Sequence, residues 1–124
     1  MQTPVSIQSV VEAGVAPTSA GADTSNGNSV QNPNGDVFLL MENTHATNSE
    51  TFTLAAQTTS VKIGTYGTVS IANQVFAVAA LSKVLAGPFP PSAFNDANGN
   101  LLISYTGTGT PKISAFKLDG ARVL

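Results

Sequence analysis

Two strands joined by a turn are encoded by Asn100-Leu101-Leu102-Ile103-Ser104-Tyr105-Thr106-Gly107-Thr108-Gly109-Thr110-Pro111-Lys112-Ile113-Ser114-Ala115-Phe116-Lys117-Leu118. The first strand ends before a run of glycine and threonine, and the second begins after Pro111, as in a connected strand pair. In the second strand Ile113 and Ala115 alternate, but Phe116 and Leu118 fall on the other face. This pattern predicts either a bulge or burial on both faces.

Upstream of this segment, short strand-like runs recur from Asp36 onward, separated by turn residues. They are Val37–Met41, Thr51–Leu54, Val61–Ile63, Thr68–Ile71, Gln74–Val78 and Lys83–Ala86. The continuous run Val37–Met41 predicts burial on both faces, whereas most of the others alternate like half-buried strands. Ala77 to Leu85 is rich in helix formers and precedes Gly87, so a helical turn is the alternative there. About eight short strands predict an all-β fold, either an antiparallel sandwich or jelly roll or a small barrel.

The first 35 residues differ in composition from the rest of the chain. Thr18 to Asn28 is small, polar and rich in turn residues, and it cannot order itself by burying apolar surface. We predict an N-terminal arm and polar linker over 1–35, a β domain over 36–119 and a C-terminal tail over 120–124. An extended arm would dock on a neighbouring subunit or on its own sheet; an unanchored tail is the alternative. The partner-binding residues predicted in the arm are Val5, Ile7, Val10, Val11, Val15 and Pro17.

Composition and charge restrict the classes of function. The chain has 124 residues, enough for one compact domain, and only 10% of them are charged, against about 25% in typical soluble domains. Such a weakly charged surface is typical of proteins that are packed in an assembly. Residues 1–61 hold five acidic and no basic side chains, whereas residues 62–124 hold five basic and two acidic ones. This asymmetry fits either head-to-tail contacts between subunits or pairing within the chain.

Several partners are not expected from this sequence. Five scattered cations do not form a nucleic-acid groove, and no apolar run reaches the roughly 18 residues of a membrane helix. The N-terminus has no secretory signal pattern, so we expect a protein made in the cytoplasm. The chain has no cysteine, which excludes disulfides and thiolate metal sites.

Residues with the chemistry for catalysis are few and poorly placed. The one histidine, His45, lies among polar loop residues, where a solvent-facing side chain is expected. Asp96 to Asn100 resembles a calcium loop in composition, but its glycine comes at the fourth position and Gly107 stands where glutamate is required. Asn98-Gly99 instead predicts a tight turn. We therefore predict no enzyme activity and no catalytic, cofactor or metal site.

A proline-rich segment, Gly87-Pro88-Phe89-Pro90-Pro91-Ser92-Ala93-Phe94-Asn95-Asp96, is strongly restricted in its backbone. Its three prolines fix φ and cannot pair inside a sheet, so the segment must cross an edge or a corner. Phe89 and Phe94 would then plug one end of the core. The structural motif residues predicted here are Gly87, Pro88, Phe89, Pro90, Pro91, Phe94, Asn95, Asn98 and Gly99.

With this segment the chain resembles a family of small virion proteins of tailed bacteriophages that accompany head structural proteins. The resemblance rests on Gly87–Pro91 followed by Phe94-Asn95-Asp96, Gly99 and Ile103–Thr106. Weaker matches are Ile7–Val11, Gly14–Thr18, Asn34–Leu39 and Phe116–Leu118. The chain departs from the family at Ala79–Ser82, where a Pro-Ala-Gly-Gly turn is usual, and in its longer C-terminus.

The resemblance implies a capsid decoration (cement) protein on the outside of an icosahedral virion. The major capsid protein would be its partner, and a homotrimer is preferred because capsids offer three-fold and quasi-three-fold positions. A head-tail connector or tail structural protein is the alternative within virions. Outside this class, a glycan-binding or adhesive β module and a hydrolase that uses His45 remain open, and Tyr66 and Tyr105 would be the glycan platform.

Overall fold

The computed structural model describes residues 2–11, 13–57, 60–62 and 64–118. Strands account for 48% of it and helix for 6%, so the predicted all-β class is confirmed. The strands are β1 Thr3–Pro4, β2 Ile7–Val10, β3 Ala20–Gly21, β4 Asn28–Gln31, β5 Val37–Asn43, β6 Glu50–Leu54, β7 Ser60–Lys62, β8 Thr68–Ser70, β9 Gln74–Val78, β10 Ser82–Ala86, β11 Asn100–Gly107 and β12 Pro111–Leu118. A 3₁₀ turn covers Gly64–Tyr66, and one short helix, α1, covers Pro91–Phe94.

Ten of these strands form two five-stranded sheets that pack as a sandwich. The first sheet has the order β1-β4-β11-β6-β9, and the second has the order β10-β5-β12-β2, with β3 also on β12. Strands β7 and β8 pair only with each other. The two strands of residues 100–118 lie at the middle of opposite sheets, β11 between β4 and β6 and β12 next to β5. The chain therefore crosses from one sheet to the other between them.

The core lies between the sheets and follows the alternation of each strand. Odd-numbered residues of β5 and β11 and even-numbered residues of β6 point inward. Buried apolar side chains fill this layer: Val30, Val37, Leu39, Met41, Phe52, Leu54, Val78, Phe89, Ala93, Phe94, Leu101, Ile103, Ile113 and Ala115. In β12 the residues Ile113–Phe116 are all buried, so of the two predicted explanations the structure has burial on both faces.

The arm lies on its own molecule and joins both sheets. Strand β1 pairs in parallel with β4 of the first sheet, and two residues later β2 pairs in parallel with β12 of the second. Strand β3 then runs antiparallel to the other half of β12. The range predicted as arm and linker also contains β4, an internal strand of the first sheet whose Asn28 and Val30 are buried. The predicted tail, residues 120–124, lies outside the described residues.

A turn at Asp23 holds the arm against β4. The Asp23 carboxylate accepts hydrogen bonds from Thr3 Oγ1 (2.6 Å) and from the backbone N–H groups of Ser25 and Asn26. The bond from Thr3, followed by the backbone bond from Asn26, lowers the pKa of Asp23 below its ordinary value. Thr3 N and Val5 N donate to the carbonyls of Gly27 and Ser29. These contacts explain why a polar, turn-rich stretch is ordered: it is held by hydrogen bonds within its own turn and by others from the arm.

The proline-rich segment closes one end of the sandwich. Phe89 and Phe94 are both buried, and their rings meet edge to face at 6.1 Å, with Phe76 against Phe89 at 6.5 Å. Pro91 begins α1, and the Asn98-Gly99 turn follows before β11. The segment is tied to the β4–β5 turn by Asn32, whose Nδ2 donates to Phe89 O and Asn95 Oδ1, both at 3.0 Å. Asn95 Nδ2 returns a bond to Asn32 O at 2.6 Å.

The helical alternative for residues 77–85 is wrong. They form the end of β9, a turn and most of β10, and the turn carries Leu81 with φ 57°. The chain crosses here from the edge of the first sheet to the edge of the second. Pairing of β9 with β6 and of β10 with β5 outweighs the intrinsic helix propensity of the alanines and leucines.

Candidate docking surface

The outer face of the second sheet carries an apolar groove of about 350 Å³. Even-numbered residues of β5 and β12 and odd-numbered residues of β10 point outward, because their neighbours point into the core. The groove is lined entirely by apolar residues: Val10, Val15, Pro17, Phe38, Leu40, Leu85, Phe116 and Leu118. The continuous run at Val37–Met41 is therefore not buried equally on both faces. Its Phe38 and Leu40 are only half-buried, in this groove.

The groove has a covered floor and open walls. Phe116 is 9% exposed at the floor, whereas Leu85 on β10 is 64% exposed and Leu118 at the end of β12 is 45% exposed. Val15, in the segment that follows β2, is 37% exposed. Single exposed apolar side chains are common on proteins, whereas several around one groove make it a candidate interaction surface.

Three of the six predicted partner-binding residues, Val10, Val15 and Pro17, line this groove. Val11 lies beside Val10 and is 39% exposed. Val5 and Ile7 instead pack against the core, so they anchor the arm within the molecule. The other half of the groove comes from β5, β10 and β12, which the sequence reading did not assign to a site. The sequence signal for these groove residues is the second set of alternating apolar residues in β5 and β12, which burial on both faces of the strand would also explain.

A row of charged side chains adjoins the groove on the same face. Lys83 of β10, Glu42 of β5 and Lys112 of β12 are register partners, two residues along their strands from the groove residues Leu85 and Leu40. Lys83 Nζ lies 4.0 Å from Glu42 Oε2, and Ser19 Oγ lies 3.5 Å from Glu42 Oε1. The acidic and basic halves of the sequence therefore meet within one molecule at this row.

The outer face of the first sheet is different in character. Its outward positions in β6 and β11 are Thr51, Thr53, Asn100, Leu102, Ser104 and Thr106, all uncharged and, apart from Leu102, polar. Val75, on the edge strand β9, is 59% exposed there. The first face thus carries mostly uncharged hydroxyl side chains with a few apolar ones, whereas the second combines an apolar groove with charges.

The side chain of His45 hydrogen-bonds the backbone of the loop that contains it. Its Nδ1 accepts hydrogen bonds from the backbone N–H groups of Thr47 (3.1 Å) and Asn48 (3.0 Å), and the side chain is half-buried rather than fully solvent-facing. No group of three or more His, Cys, Asp or Glu residues that could hold a metal ion occurs among the described residues. In the same part of the chain, no helix is long and apolar enough to cross a membrane.

Tyr105 is turned into the molecule and is not a surface platform. Its ring meets Phe52 edge to face at 5.1 Å, and its hydroxyl donates to Asn28 Oδ1 at 2.6 Å. Burial, together with the negative charges of Asp23 and Glu50, raises the pKa of Tyr105 well above its ordinary value. The phenol therefore stays protonated and acts as a hydrogen-bond donor that holds Asn28, which in turn donates to Thr3 O of the arm at 2.9 Å.

Replacing Tyr105 with phenylalanine is expected to lower the free energy of unfolding by about 1 kcal/mol at neutral pH, since one buried hydrogen bond is lost. In the wild type the raised pKa gives a contribution that is complete below the unfolded-state value near pH ~10 and is lost as pH rises further. The difference between wild type and Tyr105→Phe should therefore shrink above that pH. Denaturant titrations of both proteins at neutral pH and above pH ~10 test this. The same difference in unfolding free energy at the two pH values would contradict it.

In comparisons with known proteins, no family model, no curated protein and no solved structure matches the chain.

Proposed function

We propose that this chain is a decoration (cement) protein of a tailed-bacteriophage capsid, which binds the outer capsid surface and stabilises the shell. The observation that carries the proposal is the groove on the second sheet, whose lining is entirely apolar. A protein that works by packing needs such a surface, and the groove gives it one.

Two further features support this function. The resemblance of Gly87–Pro91 and the following Phe94-Asn95-Asp96 to virion head proteins points to the capsid rather than to another assembly. The low content of charged residues, 10%, suits a protein that spends its working life among other subunits. Many identical weak contacts on a shell sum to tight attachment, so each contact needs no high affinity.

In this function the partner is the major capsid protein, the location is the virion surface, and the preferred oligomer is a homotrimer. A trimer matches the three-fold and quasi-three-fold positions of an icosahedral shell. Its arms need not be exchanged between subunits, because β1, β2 and β3 pair with strands of the same molecule. Each subunit would then fold as a complete sandwich before it associates with the others.

Co-sedimentation of the purified protein with mature phage shells that lack it tests the function. We expect saturation at hundreds of copies per particle, read by gel densitometry, and shells that withstand heating better with the protein than without it. About a dozen copies or fewer would instead indicate a connector or tail protein at a unique vertex. An absence of binding would overturn the proposal.

A glycan-binding role has no observation in its favour. The ring of Tyr105 is partly buried and packs edge to face against Phe52, and its hydroxyl is bonded to Asn28, so it is not presented as an open platform for a sugar. Of the predicted platform, only Tyr66 is left, and its side chain lies outside the described part of the chain.

A further inference from the structure

We propose that the groove and the charged row form a self-association surface, through which two copies of this chain stack their second sheets face to face about a two-fold axis. The axis runs along the strands, between β5 and β12. It places groove on groove and Glu42 of each copy over Lys112 of the other. This inference goes beyond the proposed function, because it concerns contact between copies and does not require a shell.

The strand order determines which side chains meet across this axis. In the order β10-β5-β12-β2, with β3 also on β12, the rotation exchanges β5 with β12 and exchanges β10 with β2 and β3. Glu42 and Lys112 are register partners, so they lie at the same level along the axis and come to face each other. The contact forms twice, because each copy contributes one glutamate and one lysine.

All the charges of the row are accommodated in this arrangement. Lys83 keeps its own Glu42, at 4.0 Å, and lies over β3 of the other copy, whose Ala20 and Gly21 are uncharged. Sheets that pack face to face are about 10 Å apart, a gap that a glutamate and a lysine can bridge when they extend toward each other. Glu42 and Lys112 are half-buried already, so solvent screens their attraction less than at a fully exposed site.

The two sides of the groove also complement each other. One side is the segment with Val15 and Pro17, held above β2 because Gln8 Nε2 donates to Thr18 O at 2.7 Å and Gln8 Oε1 accepts from Thr18 N at 3.0 Å. The other side is β10, where Leu85 is 64% exposed. The rotation brings the raised segment of each copy over Leu85 of the other. Exposed apolar side chains on both sides are thereby removed from water.

Other two-fold arrangements of this face are unfavourable. An axis along β5 itself places Glu42 over Glu42. An axis across the strands places each charged row either over itself, with like charges opposed, or over the apolar groove, where its charges lose water without gaining partners. The axis between β5 and β12 has neither fault. A face that matches itself in both its apolar and its charged part favours a second copy as its occupant.

The apolar part is tested with Leu85→Glu, paired with the control Val75→Glu. Both side chains lie on edge strands, point outward and have similar exposure, 64% and 59%, but they belong to opposite faces of the sandwich. Circular dichroism verifies that both variants fold. In sedimentation equilibrium at micromolar concentration we expect a dimer for wild type and for Val75→Glu, and at least about tenfold weaker dimerisation for Leu85→Glu.

The charged part is tested by mixing two variants that should each fail to dimerise alone. Glu42→Lys opposes lysine to lysine across the axis, and Lys112→Glu opposes glutamate to glutamate, so each should dimerise about tenfold more weakly than wild type. In an equimolar mixture both contacts become lysine with glutamate, and we expect a heterodimer. Pairing within one molecule cannot produce this rescue, because the two changes are on separate chains.

Lys117→Glu is the control for the mixture. It changes the net charge as Lys112→Glu does, but Lys117 is exposed off this face, as the register partner of the core-facing Val37. We expect it to dimerise like wild type and not to rescue Glu42→Lys. If Lys117→Glu rescues Glu42→Lys as well as Lys112→Glu does, attraction between net charges explains the pairing and the proposed axis is wrong.

The outcomes separate this inference from the proposed function. A monomeric or trimeric wild type in solution overturns the inference, as does equal dimerisation of Leu85→Glu and Val75→Glu, whether or not the protein binds shells. A wild-type dimer that Leu85→Glu dissociates and the mixed variants restore supports the inference, even if co-sedimentation with shells fails and the proposed function is wrong.

Discussion

Replacing Asn43 with aspartate is expected to lower the free energy of unfolding by about 3–5 kcal/mol. Asn43 is completely buried at the end of β5. Its Nδ2 donates to Asn48 O (2.7 Å) and Val78 O (3.1 Å), and its Oδ1 accepts from the backbone N–H groups of His45 and Thr110. A carboxylate has the same shape but cannot donate, so two carbonyl oxygens would face a buried negative charge.

The surroundings of Asn43 increase the cost of this substitution. Glu50, itself 2% exposed, accepts a hydrogen bond from Gly109 N at 2.9 Å in the loop that also contacts Asn43. A second buried carboxylate would therefore join an existing one. Asn34→Asp, at an exposed position, adds the same charge and is the control. Guanidinium titrations of both variants measure the difference, and a loss below about 1 kcal/mol at Asn43 would show that the four bonds are dispensable.

The sequence predicted the fold class well because alternation in strands is a local signal. The strands of residues 100–118 and the apolar run at Val37–Met41 each appear in the structure as central strands. The proline-rich segment was predictable for the same reason, since prolines fix the backbone and leave Phe89 and Phe94 to be buried. Which strands pair within each sheet was not predictable, because partners such as β2 and β12 are separated by about a hundred residues of sequence.

The sequence indicated only part of the lining of the groove. The arm residues Val10, Val15 and Pro17 were predicted from their apolar character. Leu85 and Leu118 were not, because the sequence does not determine where their strands lie within a sheet. Which face of β12 meets the core and which meets the groove depends on its register with β5. Asn28, Asn32 and Asn43 were also missed as structural residues, because each is held by hydrogen bonds to parts of the chain that are distant in sequence.

The link between the arm and the sandwich can be tested at Gly27, where a side chain has no room. Gly27 has φ +82°, and an added Cβ would lie 2.6 Å from Ile103 O of β11. Gly99 has nearly the same φ, +79°, but an added Cβ meets nothing within 4 Å. We expect Gly99→Ala to cost about 1–2 kcal/mol of unfolding free energy, from backbone strain alone. Gly27→Ala should cost at least about 3 kcal/mol, since β4 must also move away from β11.

The two alanine variants differ further in what they do to the arm. Gly27 O accepts the hydrogen bond of Thr3 N at 3.0 Å, and Val5 N donates to Ser29 O at 2.9 Å. A displacement of β4 would therefore break or weaken the hydrogen bonds that hold β1. Amide hydrogen exchange at Thr3 and Val5 should therefore accelerate in Gly27→Ala relative to exchange in the core strands, and stay unchanged in Gly99→Ala. The prediction is contradicted if the two variants lose the same stability and their arm amides are equally protected. In that case Ile103 O can move away from an added Cβ at little cost, and the arm does not depend on the close approach of β4 to β11.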